Sequence, residues 1–183
     1  LHPQHRRQRQ MCIRDSEKGY FQLSDPVSKF LPEFKNQEIY VSGSFPNFIT
    51  EPVRSPMIIR DLLTHTSGLS YSINFQSHVD DAYRKIFQIS DPTKALVSDE
   101  KVDLEEFTKR IASLPLEFNP GDQWLYSVSI YICARLIEVI SGKTIEDYFQ
   151  ENIFDPLEME QTGFFVKEGN LKNLWIHISN PCT

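Results

Sequence analysis

The sequence has few cysteines and no long apolar run, and both scarcities exclude classes of protein. Cysteine occurs three times in 183 residues, at Cys12, Cys133 and Cys182, with a spacing that fits neither a zinc site nor a disulfide framework. Because no apolar run reaches about eighteen residues, no membrane-spanning helix is predicted. The 40% apolar and 24% charged residues are typical of a globular domain and not of a disordered chain.

Basic residues are in the minority. The chain has 19 Lys and Arg against 25 Asp and Glu, a net charge of −6. A phosphate-binding face needs clustered Lys and Arg, so no nucleic-acid partner is predicted. The imbalance is larger without the first sixteen residues, since residues 17–183 hold 15 basic and 24 acidic residues, a net −9. The domain is therefore expected to be globular and acidic.

The N-terminal residues 1–16 are interpreted as foreign to the domain. The string Met11-Cys12-Ile13-Arg14-Asp15-Ser16 resembles the translation of the transposase adapter used in sequencing libraries. On this interpretation an artefact is joined to a truncated gene, the protein proper begins near Glu17, and its true N-terminus is missing. A basic nucleic-acid arm or the start of a targeting segment are the alternatives, although no apolar stretch follows. Export cannot be judged and localisation is unknown.

Hydrophobic spacing and turn residues predict helices joined by long loops, with little strand. One short strand is expected at Ile39–Val41, inside an otherwise irregular segment 35–57. Helices are expected at Ile58–Thr64 (ended by Ser67-Gly68), His78–Phe87, Leu104–Leu114, Ser129–Ile140 and Thr144–Asn152.

Two of these helices have the clearest boundaries. Asp103 is expected to cap its helix, with Glu106 as the reciprocal partner of a capping box. The helix Ser129–Ile140 is apolar on nearly all sides except at Arg135 and Glu138, which predicts burial, and Gly142 supplies its C-terminal stop.

Several short motifs follow one another in a recognisable order. They are Asp25–Phe34 (DPVSKFLPEF), Ile59–Leu69 (IRDLLTHTSGL), Phe118–Gly121 (FNPG), Trp124–Ser127 (WLYS), Ser141–Lys143 (SGK), Ile153–Met159 (IFDPLEM) and Thr162–Phe164 (TGF). Together they resemble the serine β-lactamase and DD-peptidase superfamily, and more closely its class C β-lactamase-related branch, which includes carboxylesterases. The resemblance covers roughly residues 17–166.

This resemblance implies an α+β, β-lactamase/transpeptidase-like fold for the parent protein. The chain would hold most of the helical subdomain, in residues 17–174, with long loops and little of the sheet. It implies acyl transfer through a serine acyl-enzyme on a small-molecule ester or amide, with no metal or organic cofactor. The tail 175–183 does not continue the resemblance, and we have no functional account of it.

The catalytic residue that the resemblance identifies is Tyr126. A serine hydroxyl needs an adjacent base. In this superfamily a lysine three residues after the serine and a tyrosine from a neighbouring loop provide it, and Tyr126 matches that tyrosine. An unperturbed tyrosine titrates near about 10, so it needs cationic neighbours to act at neutral pH. Without the surrounding motifs, the residue is better interpreted as a core aromatic whose hydroxyl is hydrogen-bonded.

Neighbouring residues refine this expectation. Val128 occupies the position of the family's substrate-binding asparagine, and its side chain cannot hydrogen-bond a β-lactam amide. The form Tyr-Ser-Val-Ser is more like the esterase members. His65 is expected to be structural, because its family counterpart lies in a helix-ending loop, and Cys133 is expected to be a small buried hydrophobe.

Two family motifs are missing from the chain. The nucleophilic Ser-x-x-Lys is expected upstream of Glu17, and the one literal match, Ser98-Asp99-Glu100-Lys101, is interpreted as chance. The Lys-Thr-Gly-type strand motif is expected beyond Thr183. The chain by itself is therefore predicted to be inactive.

Two other interpretations stay open at this point. One is a non-catalytic member of the fold that binds peptidoglycan peptides or a protein partner. The other is an isolated helical interaction domain. The sequence does not indicate an oligomeric state.

Overall fold

The computed structural model describes residues 19–71, 77–88 and 102–164, which belong to two compact units. The first unit comprises residues 1–142 and the second residues 143–183. The candidate site lies wholly in the first unit, which begins with two short 3₁₀ turns, Val27–Lys29 and Pro32–Phe34.

A two-stranded antiparallel hairpin follows, in the segment predicted to be mostly irregular. Strand β1 spans Glu38–Ser44 and strand β2 spans Asn47–Pro52, with a bulge near Val41. The prediction of one strand at Ile39–Val41 was too short and missed β2. The physical reason is that every residue of β2 is exposed or half-buried, so its sequence lacks the apolar alternation of a strand packed on a core.

The first unit has four helices among its described residues, and the predicted ones are confirmed. They are α1 (Ile59–Thr64), α2 (His78–Ile86), α3 (Leu104–Ala112) and α4 (Ser129–Ser141). Asp103 caps α3 as predicted, since its Oδ1 accepts a 2.8 Å hydrogen bond from the backbone N–H of Glu106. The carboxylate of Glu106 lies 2.8 Å from Nε of Arg110, one turn further on.

Helix α4 forms the centre of this unit and packs against α1 and α3. Its burial is confirmed for most of the first nine residues, whereas Val139 near its end is exposed. The two charges that interrupt its apolar sequence are paired, because Arg135 bridges Glu138 and the α3 residue Glu105 at 3.2 and 2.6 Å. The helix ends at Gly142 with φ 70°, as expected for a glycine stop.

The second unit contains a short helix, α5 (Ile145–Phe149), which continues as a π-helical turn, Gln150–Phe154. Thr144 caps α5 by accepting a 3.1 Å hydrogen bond from the backbone N–H of Asp147. The ring of Phe149 packs against those of Phe154 and Phe164. The predicted helix from Thr144 is confirmed, with a change of pitch over its second half.

Candidate functional site

The candidate site is built where the chain after α1 runs alongside the loop between α3 and α4. Backbone hydrogen bonds of 2.8–3.0 Å hold these segments together, from the N–H groups of Glu117, Gly121, Leu125 and Val128 to the carbonyls of Gly68, Thr66, His65 and Ser70. Leu116 of the loop also exchanges 2.8 Å hydrogen bonds with β1, through Tyr40 and Glu38. The loop is therefore fixed along much of its length before it enters α4.

Gly68 permits the close approach of the two segments. Its φ is +81°, and a Cβ at this position would lie 2.4 Å from the carbonyl oxygen of Phe118. No other residue fits without displacing that backbone. The predicted role of Ser67-Gly68 as the stop of α1 was wrong, because the helix ends earlier, at His65 in the left-handed conformation (φ 58°, ψ 37°).

Tyr126 lies in the loop three residues before α4, with its side chain half-buried between two rings. The imidazole of His65 is tilted against it with 5.0 Å between ring centroids. The ring of Tyr71 lies on it at 5.2 Å. The backbone is tied on both sides, by Leu125 to His65 and by Val128 to Ser70. Tyr126 is thus held firmly at the surface of the unit, directly before a buried helix.

An aromatic row continues from Tyr126 into the core. Tyr71 stacks on Tyr131 of α4 at 6.5 Å, and their hydroxyl oxygens are 3.5 Å apart. Tyr131 in turn contacts Phe107 of α3, which stacks on Phe87 at 4.9 Å. Motions of Tyr126 are therefore resisted by packing that reaches three helices.

The pKa of Tyr126 is raised above its ordinary value, first by burial of the phenol and then by the neighbouring hydroxyl of Tyr71. The pKa of Tyr71 is raised as well, by its own burial and its hydrogen bond with Tyr131. These surroundings keep Tyr126 protonated at neutral pH. A role as proton acceptor would require a cationic group to lower this pKa.

A chain of buried hydroxyls lies beneath the Tyr126 loop. The Oγ atoms of Ser67 and Ser129 are 2.9 Å apart, and those of Ser129 and Ser127 are 2.7 Å apart. Ser127 reaches Nδ1 of His65 with both its Oγ and its backbone N–H, each at 3.3 Å. All three serines are fully buried, and His65 is 7% exposed. Sequence reasoning missed this chain, since its partners are separated by 62 residues and no local pattern reports such contacts.

The other residues predicted for this region are placed as follows. Val128 is fully buried at the start of α4, which favours a packing role, and its contact with substrate stays a prediction. Cys133 is 1% exposed, so its prediction as a buried hydrophobe is confirmed. The chance match Ser98–Lys101 lies outside the described residues, as do residues 1–16 and the tail 175–183.

A concave region that was not predicted lies beside the loop between α3 and α4. It is a cavity of about 490 Å³, lined by Ser77, Asp80, Glu117, Phe118, Gln123, Trp124 and Leu125. Asp80 is 1% exposed and accepts a hydrogen bond from Ser70, while Glu117 accepts one from Ser77. Burial raises the pKa of Glu117, and the nearby Asp80 adds to the rise, whereas hydrogen bonds from Ser77 and Ser70 oppose it.

Metal ligands and membrane-spanning helices are two further features that the described residues do not show. Within residues 19–71, 77–88 and 102–164, no three His, Cys, Asp or Glu side chains are grouped as metal ligands would be. In the same ranges, no helix is long and apolar enough to cross a membrane.

Comparison with known proteins identifies the family to which this chain belongs. Residues 11–179 match the Beta-lactamase family model. Esterase EstB of Burkholderia gladioli is 32% identical over 156 residues, which is 85% of this chain and 35% of that protein. Acyltransferase calJ of Penicillium decumbens is 31% identical over 151 residues, 82% of this chain and 32% of that protein.

A solved structure gives the same result for the fold. EstCE1, a hydrolase with promiscuous acyltransferase activity, superposes with a TM-score of 0.64 at 25% identity, over 86% of this chain and 36% of its own. The chain belongs to the β-lactamase family and has its fold, as the sequence motifs predicted. It spans about a third of the length of the relatives it matches.

Proposed function

We propose that the protein carrying this chain is an esterase-like serine hydrolase that transfers acyl groups, with Tyr126 as its proton-transferring tyrosine. The observation that carries the proposal is the placement of Tyr126, which is half-buried between His65 and Tyr71 with its loop hydrogen-bonded on both sides. Rigid placement is what proton transfer requires, because the reacting atoms must be within hydrogen-bond distance. The esterase and acyltransferase relatives support the same class of reaction.

The proposed reaction has two steps. A serine hydroxyl attacks the ester carbonyl, its proton passes through the Tyr126 phenol to the leaving alcohol, and an acyl-enzyme forms. Water then attacks the carbonyl of this acyl-enzyme, the bond to the serine oxygen breaks, the carboxylic acid leaves, and the serine oxygen takes up the proton given up by the water. The nucleophile is the Ser-x-x-Lys of the family, which we predict upstream of Glu17, and its lysine would lower the raised pKa of Tyr126.

The proposed substrate is a small-molecule ester rather than a β-lactam. Val128 stands where the β-lactamases of the family carry asparagine, and it is fully buried with no group that could bind an amide. An ester substrate needs no such contact. This part of the proposal predicts hydrolysis of short-chain p-nitrophenyl esters and little turnover of nitrocefin.

The proposal is tested by covalent labelling of the full-length protein. Incubation with a fluorophosphonate probe, followed by intact mass measurement, should show one adduct per chain, on the predicted upstream serine. No adduct together with no ester turnover would contradict the proposal. That outcome would favour a non-catalytic member of the fold that binds peptides or a protein partner.

We also propose that the 183-residue chain by itself is inactive. It contains the Ser-x-x-Lys pattern only at Ser98, outside the family's motif order. The purified chain should give no p-nitrophenyl butyrate hydrolysis above a boiled control. Turnover that disappears in S98A would contradict this prediction.

A further inference from the structure

We propose that His65 is the positioning residue of Tyr126. The buried serine chain holds its imidazole neutral and in a fixed orientation, so that the ring packs against the phenol of Tyr126 and restricts its movement. This inference rests on the proposed function, since positioning matters only if Tyr126 transfers a proton.

The backbone of His65 shows that its side chain has a role. It ends α1 in the left-handed conformation, where glycine or asparagine is the usual residue. Histidine is strained in this conformation, because its Cβ approaches the following carbonyl oxygen. Interactions of the imidazole must offset that strain, and those shown are with Ser127, Trp124 and Tyr126.

The hydrogen bonds around His65 determine which ring nitrogen carries the proton. The backbone N–H of Ser127 donates to Nδ1, so Nδ1 must present a lone pair. The hydroxyl of Ser127, also 3.3 Å from Nδ1, must then donate to it. It follows that Ser129 donates to Ser127, and Ser67 donates to Ser129.

The resulting chain of hydrogen bonds donates in one direction and ends at Nδ1 of His65. Backbone N–H groups reinforce it, because Leu69 donates to Ser67 Oγ and Ser129 donates to Ser127 Oγ, at 3.3 and 3.4 Å. A proton on Nδ1 would face the N–H of Ser127 and would reverse every hydroxyl in the chain. The imidazole is therefore the tautomer protonated at Nε2, and it is excluded as a base acting through Nδ1.

The held ring contacts Tyr126 directly. The imidazole lies 5.0 Å from the phenol at a tilt of 36°, and the carbonyl of His65 accepts the N–H of Leu125. One residue thus fixes both the ring of Tyr126 and the backbone that precedes it. His65 thus holds the phenol in place through direct contact between the two rings.

The test uses nuclear magnetic resonance on the full chain, labelled with ¹⁵N-histidine and ¹³C-tyrosine. At neutral pH, His65 should show an unprotonated Nδ1 and a protonated Nε2. H65N, which suits the left-handed backbone but removes the ring, should shift the Tyr126 ring resonances. The matched control is H78N, since exposed His78 lies against another tyrosine, Tyr40, at 6.0 Å, and its removal should leave Tyr126 unchanged.

A second variant keeps the inference testable if H65N does not fold. S129A removes one hydroxyl of the chain without touching either ring, and it should shift the His65 nitrogens and, less strongly, Tyr126. A protonated Nδ1 in the parent chain, or Tyr126 resonances unchanged in both variants, would overturn the inference.

An activity readout separates this inference from the proposed function. In the full-length protein, H65N should lower kcat about tenfold with KM within twofold, because a misplaced reacting group affects the chemical step. If Y126F keeps full activity, the proposed function fails whatever H65N does. If Y126F loses activity while H65N keeps the parent's kcat and Tyr126 resonances, only the role of His65 is overturned.

Discussion

The loop between α3 and α4 buries polar groups on two sides, by different means. Beneath Tyr126, three serines and His65 satisfy one another as neutral donors and acceptors. Beside the cavity, the carboxylates of Asp80 and Glu117 are covered and hydrogen-bonded to serines. Neutral hydroxyls can be buried at little cost once they are paired, whereas burial raises the pKa of the Glu117 carboxyl. The site next to Tyr126 is therefore expected to be rigid over a wide pH range, and the cavity to respond to pH.

The largest expected effect on stability comes from forcing apart the chain after α1 and the loop between α3 and α4, which approach closely at Gly68. G68A places a Cβ 2.4 Å from the Phe118 carbonyl in addition to straining a left-handed backbone. It should lower the free energy of unfolding by more than about 2 kcal/mol, measured by urea denaturation. G121A is the matched control, because its φ of +90° is also left-handed but nothing lies within 4 Å. It should lose only the conformational part, about 1–2 kcal/mol. Equal losses in the two variants would show that the close approach is not tight.

The next largest effect on stability is expected when one hydroxyl of the buried serine chain is removed. S129A leaves the hydroxyls of Ser67 and Ser127 without their shared partner in a fully buried place. Unsatisfied buried groups cost about 1–3 kcal/mol each, so unfolding in urea should shift clearly to lower concentration. The control is S113A, which removes an exposed hydroxyl bonded to the Arg110 carbonyl and should change stability by less than about 0.5 kcal/mol. An S129A variant as stable as the parent chain would contradict the assigned hydrogen-bond network.

The smallest expected effect on stability comes from removing the charge of Glu117 beside the cavity. The pKa of Glu117 is higher in the folded chain than its ordinary value, so its ionised form destabilises the fold and this cost disappears as pH falls and the group is protonated. E117Q should therefore stabilise the chain near pH 7, and the gain should vanish at acidic pH. The pKa of Glu105 is lowered, chiefly by its hydrogen bond from Lys109, so E105Q should have the opposite sign. Denaturation curves at several pH values check both, and a gain for E117Q that persists at acidic pH would contradict the raised pKa.

Local patterns were enough to predict much of the fold. The cap at Asp103, the apolar helix α4 and the stop at Gly142 each depend on residues within a few positions of one another. The position of Tyr126 before a buried helix was predictable for the same reason. Its role remains a prediction, because no local pattern distinguishes a catalytic tyrosine from a packed one.

The parts that were missed depend on contacts between distant segments. Strand β2 has too little buried surface to show a strand pattern, and it exists by pairing with β1. The last residue of α1, Thr64, was predicted, but the left-handed conformation of His65 and its contact with Ser127, 62 residues away, were not. Burial of Glu117 likewise follows from the meeting of its loop with α2, where Ser77 begins the helix.

The most direct test of the central claim is the kcat/KM of Y126F for p-nitrophenyl butyrate in the full-length protein. Y40F is the matched control, since its hydroxyl bonds only the backbone of its own hairpin, at Gly43, in the contacts shown. If Tyr126 transfers the proton, Y126F should lose about 10²–10⁴-fold while Y40F stays within threefold of the parent. A Y126F protein within threefold of the parent would contradict the account.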